Sequence, residues 1–216
     1  IITIFPESLR GYFNSSILGR AQKDKKIKIN LHNLRDFADN KHKKVDDKPY
    51  GGGPGMVLKI EPIVKAISKI KSKISNLENS KIILFSSSGK KFTQKMAKNW
   101  AEKYDNLILI CGRYEGVDAR VKKIIKAEEI SIGPYVLTGG ELPAAVVVDA
   151  VARHIPDVLG KQESLEEKRG MSGFPVYTKP EIFEYRGKKY KVPKILLSGH
   201  HIKIKNWREN LSDVII

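Results

Sequence analysis

Two periods of apolar spacing take turns along the chain. Ile1–Phe5 is a short apolar run that predicts a strand, and Pro6-Glu7 opens a helix, because proline fits a first turn and an acid suits a helix N-terminus. Lys26–Leu31 alternates polar with apolar and predicts a second, half-exposed strand. Ile60, Ile63, Val64, Ile67, Ile70 and Ile74 share one helical face. Lys81–Ser86, Leu107–Ile110 and Glu129–Ile132 predict buried strands. Thr93 is placed to cap a helix whose inner face is Met96, Ala97, Trp100 and Tyr104. Glu141–Arg153 predicts a helix with proline in its first turn and Leu142, Ala145, Val148 and Ala152 on one side. Apolar strands separated by helices give an α/β fold class, a parallel sheet flanked by helices. Residues 155–192 are polar, proline-bearing and weakly periodic, which predicts a linker or loop. Lys194–Leu197 is apolar, and His200–Trp207 begins a short basic helix.

A length of 216 residues allows one ordinary domain, or one with a small appendage. The 41% apolar and 30% charged composition excludes fibrous and disordered classes. Lys and Arg number 40 against 24 Asp and Glu, a net charge of +16. That charge is uneven: +6 over residues 1–60, +6 over 61–110, −1 over 111–160 and +5 over 161–216. Basic flanks around a near-neutral middle point to a polyanion held outside and a smaller ligand held within. The other reading is a lysine-rich coat that serves solubility alone. No apolar run approaches the roughly 18 residues of a membrane span, and no leader segment is evident. The lone Cys111 excludes an intrachain disulfide and favours a reducing compartment, so the expected location is cytoplasmic.

Three glycine-bearing turns follow three predicted buried strands: Ser86–Gly89, Gly112–Gly116 and Gly133–Gly140. Ligands of open α/β sheets lie beyond the carboxyl ends of the strands, and glycine lets main-chain groups come close to them. If the turns converge, they form a pocket suited to a ligand with an adenine edge; taken singly, each is also an ordinary tight turn. No P-loop signature occurs, and Gly51-Gly52-Gly53-Pro54-Gly55 follows no buried strand and matches no dinucleotide fingerprint. That run admits a nucleotide backbone or a partner subunit, or is a flexible surface loop. His32, His42 and His154 have no ligand spacing with Cys111, and the adjacent His200 and His201 point apart, so no metal site is expected. Cys111 ends a buried strand and reads as a packed thiol, not a nucleophile.

Six segments together resemble the bacterial tRNA (guanine-N1)-methyltransferases of the TrmD type: RDFADNKHKKVDDKPYGGGPGM at 35–56, ICGRYEGVDAR at 110–120, SIGPYVLTGGELPA at 131–144, DAVARHIPDVLG at 149–160, PVYTKP at 175–180 and LLSGHH at 196–201. The resemblance implies a deep trefoil knot of the SPOUT class, a homodimer, no membrane partner, and methyl transfer from S-adenosylmethionine to the guanosine 3′ of the anticodon in tRNA. It places the cofactor contacts on Leu84, Ser86, Gly112, Glu115, Ile132, Gly133, Pro134, Tyr135, Val136, Leu137, Gly139 and Gly140. It places an O6-directed catalytic arginine on Arg153, which also stands four residues after Asp149, the spacing of a helix salt bridge. It divides the chain into a knotted cofactor-binding domain at 1–160, a flexible linker and active-site loop at 161–192, and a truncated tRNA-binding segment at 193–216.

Two positions depart from the family pattern. The usual general base, an aspartate before the PxYTxP segment, falls on Gly173, which accepts no proton. Glu163, Glu166 and Glu167 are candidate substitutes, and Mg²⁺ could acidify the base; Asp149 is a poor one if Arg153 pairs with it. Pro134 stands where the family's turn usually has aspartate, removing a charge and a backbone N–H. The sequence also ends soon after Trp207, where relatives usually continue through a helical domain, and starts on isoleucine, so a shortened chain is expected. The main alternative to an active methyltransferase is a non-catalytic protein that binds S-adenosylmethionine and RNA. A basic α/β domain for some other small ligand is the third reading.

Overall fold

The computed structural model describes residues 1–159 and 174–211. The chain divides into two compact units, Ile1–Gly160 and Lys161–Ile216. In the first, β1 (Ile2–Thr3), β2 (His32–Asn33), β5 (Ser80–Lys91), β6 (Asn106–Ile110) and β7 (Glu128–Ser131) form a five-stranded sheet in the order β2-β1-β6-β5-β7. Every neighbouring pair is parallel. β3 (Asp46–Asp47) and β4 (Val57–Leu58) make a separate antiparallel hairpin.

The continuous apolar strands are read by the sheet with a period of two. Ile82, Leu84, Ile108 and Ile110 face α3 (Ile60–Lys71) and α5 (Arg120–Ile125), where they join Ile63, Ala66, Ile67, Val121 and Ile125. Ile83, Phe85, Leu109 and Cys111 face the other way, onto Ala97 and Trp100 of α4 (Gln94–Lys103) and Ala144, Val147 and Val151 of α6 (Glu141–Ala152). Burial on both faces is what makes these strands apolar at every position. The hydroxyl of Thr93 accepts the Met96 N–H at 3.3 Å and starts α4, as its position predicts.

Several elements differ from the periodicity. Lys26–Leu31 is not a strand; the ladder starts at the next residue, with Ile2 opposite His32 and Thr3 opposite Asn33. The alternation there records burial instead: Ile27, Ile29 and Leu31 pack against the cluster of Leu9 and Phe13 from α1 (Glu7–Phe13) with Leu18 and Ala21 from α2 (Ser16–Lys23). Gly51–Gly55 is the tip of the β3–β4 hairpin. Neither α2 nor α5 has a periodic stretch long enough to stand out.

In the second unit, Ile182–Tyr185 and Lys188–Lys191 form an antiparallel hairpin inside the stretch expected as linker. Arg186 and Gly187, with φ of 51° and 72°, make the two-residue turn that the twist of such strands prefers. Helices Lys194–Leu197 and His201–Glu209 follow, the second matching the predicted basic helix. Among the described residues no helix is long and apolar enough to cross a membrane.

Candidate active site

The first glycine-bearing turn interrupts β5 and the other two follow the carboxyl ends of β6 and β7, and together they surround one cleft of about 470 Å³. β5 supplies the first by a break in register: Phe85 pairs with Ile130, and after the Ser86–Gly89 excursion Lys90 pairs with Ile130 again. Gly89 lies against β7 so closely that a Cβ there would stand 2.6 Å from the Ile130 nitrogen. Gly112 lies two residues beyond the end of β6, and its carbonyl accepts the Gly140 N–H at 2.9 Å and so ties the second turn to the third. A Cβ on Gly140 would stand 2.6 Å from the Cys111 Cα, which makes glycine obligatory at this joint.

Of the twelve residues expected at a cofactor, eleven line this cleft: Leu84, Ser86, Gly112, Glu115, Ile132, Gly133, Tyr135, Val136, Leu137, Gly139 and Gly140. Pro134 is exposed and is not part of the lining. The β3–β4 hairpin reaches the same place. Glu115 donates its N–H to the Met56 carbonyl at 3.0 Å, Leu58 donates to Gly116 at 2.9 Å, and the Gly55 backbone lies beside the Glu115 carboxylate.

Behind the second and third turns stands a pair that periodicity did not reveal. Arg113 Nη2 is 2.9 Å from Glu141 Oε2, with side chains 21% and 6% exposed. The contact is ionic and not a well-aligned hydrogen bond, since Glu141 Oε2 and Arg113 Nε lack one. Arg113 Nη1 donates to the Thr138 carbonyl at 3.2 Å, its guanidinium lies 4.7 Å from the centre of the Phe5 ring, and Thr3 donates its hydroxyl to Glu141. The available sign was chemical: each charge sits beside a glycine at the end of an apolar segment, where a charge needs a partner. Burial first, and then the Glu141 charge, push the Cys111 thiol up, so it stays protonated and structural.

The cleft offers main-chain donors and acceptors from the glycine turns, apolar walls from Leu84 and Leu137, and the carboxylate of Glu115; Glu129, also in the lining, is paired with Lys122. Such a lining suits a heteroaromatic ring attached to a positively charged centre. The family model described as tRNA (guanine-1)-methyltransferase TrmD matches residues 1–214. The chain belongs to this family. Relatives named tRNA (guanine-N(1)-)-methyltransferase include one from Dictyoglomus turgidum, 54% identical over 96% of this chain and 82% of its own. One from Desulforamulus reducens is 51% identical over 98% and 82%, and one from Clostridioides difficile 46% over 98% and 90%.

Within this TrmD-family chain, Arg153 caps the C-terminal end of α6 and does not line the cleft. Its backbone N–H donates to the Asp149 carbonyl at 3.2 Å. The Asp149 carboxylate accepts the Tyr12 hydroxyl, and that hydrogen bond raises the pKa of the phenol. Gly173, Glu163, Glu166 and Glu167 lie outside the described residues.

Proposed function

We propose that this TrmD-family enzyme binds S-adenosylmethionine in the three-turn cleft and methylates N1 of the guanosine 3′ of the anticodon in tRNA, working as a homodimer with the SPOUT trefoil knot. The observation that carries the reading is the convergence of eleven expected contact residues on one cleft. The donor fits the lining: Leu84 and Leu137 would flank the purine, main-chain groups of the glycine turns would meet its edge, and Glu115 would face the cationic part. When bound, it supplies a methyl group made electrophilic by a sulfonium.

The rest falls to the chain. Guanine N1 carries a proton at neutral pH, so one group must accept that proton while another stabilises charge gathering on O6. Arg153 takes the second role. For the first, Gly173 is mute and Asp149 already accepts the Tyr12 hydroxyl. The reading therefore assigns the proton to one of Glu163, Glu166 or Glu167, with Mg²⁺ assisting. The basic flanks hold tRNA phosphates, which position the substrate without specifying it. An enzyme of this kind works in the cytoplasm, where tRNA is.

The test is transfer of labelled methyl from S-adenosylmethionine to a tRNA transcript carrying guanosine after the anticodon. Incorporation is expected there and not into the same transcript with adenosine at that position. The glycine at 173 also motivates a second reading, a protein that binds both ligands without turnover. Repeated turnover would eliminate it, whereas normal binding of both ligands with no incorporation at saturating donor and Mg²⁺ would establish it.

A further inference from the structure

We propose that the hairpin Ile182–Lys191 is a stacking platform for unpaired RNA bases. The register puts Phe183 opposite Tyr190 and Tyr185 opposite Lys188, so these four side chains share one face of the ribbon. Phe183, Tyr185 and Tyr190 are 56%, 52% and 56% exposed. A two-stranded ribbon with one bare aromatic face is only marginally stable alone and needs a cover.

Charge identifies the cover. Arg186, Lys188, Lys189 and Lys191 stand against Glu184 alone, a net +3 in ten residues. The Arg186 guanidinium lies over the Tyr185 ring, 5.2 Å from its centre, a cation stacked at the turn end of the ribbon. The same hairpin of a second copy laid on this face would set like charge against like. Aromatic rings rimmed by cations fit bases whose phosphates pass along the edge, the arrangement by which proteins hold single-stranded loops. The inference rests on the tRNA reading and extends it: the nucleotides held here belong to a loop, not a helix.

The experiment measures affinity of the full chain for an anticodon stem-loop RNA and for a fully paired duplex of similar length, by fluorescence anisotropy across a salt series. Tyr190→Ala and Phe183→Ala are expected each to weaken stem-loop binding roughly tenfold while leaving duplex binding, salt slope and S-adenosylmethionine affinity unchanged. Tyr190→Trp should retain it. Lys188→Gln with Lys191→Gln should instead flatten the salt slope by about two. Unchanged stem-loop affinity in the Phe183→Ala, Tyr190→Ala double variant would overturn the proposal, and so would a change of oligomeric state in that variant, which would give the face to a protein partner. If the unaltered chain itself neither bound nor methylated tRNA, the broader reading would fail first and take this one with it.

Discussion

Arg113 and Glu141 bring opposite charges to a place where neither is tolerated alone. Their ion pair joins the second turn to the start of α6, and Thr3 adds a donor from β1. Removing one member of a buried pair strands the other, at a cost of about 3–5 kcal/mol. Glu141→Ala should therefore lower stability in urea titrations by about 3 kcal/mol. The Arg113→Met, Glu141→Leu double variant should recover much of that loss, because no charge is then left unpaired. A Glu141→Ala variant as stable as the parent would show that water reaches the pair. The contrast with Thr93 explains what was legible at this scale. A cap is local, three residues from cap to N–H, whereas Glu141 meets Thr3 across 138 residues, which no spacing rule reaches.

At the scale of elements, the strands and helices that bury the most were the ones periodicity found. α3 and α4, with β5, β6 and β7, each present enough apolar residues to fix their period. α6 was found as a helix, but it is apolar on several sides, and its buried face is Pro143, Ala144, Val147 and Val151, whereas Leu142 of the expected face is exposed. The failures are short or mixed. Lys26–Leu31 alternates because α1 and α2 cover one side of it, and burial leaves the same trace as pairing. The hairpin at 182–191 was hidden because its face is exposed and aromatic rather than buried. Turn residues were legible as glycines, but their convergence depends on the break in β5. Gly89→Ala tests that break: a methyl 2.6 Å from the Ile130 nitrogen forces the first turn off β7. It should cost about 1–3 kcal/mol and weaken S-adenosylmethionine binding in calorimetric titration. Gly11→Ala is the control, a helical position with no heavy atom within 4 Å of the added methyl, expected to stabilise by up to about 1 kcal/mol. Equal effects from the two would mean that the first turn adapts and the cleft does not depend on it.

For the whole molecule, the length of α6 decides what one chain does alone. Its N-terminus is at Gly140, in the cleft, and its C-terminus is at Arg153, thirteen residues and about 20 Å away. On the homodimer proposed above, an arginine acting on a base beside a donor in that cleft would come from the other copy. α6 is also apolar nearly all round, leaving Leu142 62% and Val146 46% exposed, where a surface helix would be polar. In the proposed homodimer this face is the one for a second copy to cover, and Arg153 is then expected to serve the other copy's cleft. The spacing makes a quantitative test. Leu137→Arg, at an exposed lip of the cleft, should repel a cationic donor, and Arg153→Ala removes the remote group. Each variant alone should be nearly inactive. After co-refolding in equal amounts, half of the dimers pair a sound cleft with a sound Arg153 at one of their two sites, so about a quarter of the parent methylation rate should return. An arginine acting within its own chain gives no recovery at any ratio, because no protomer in the mixture then carries both functional parts.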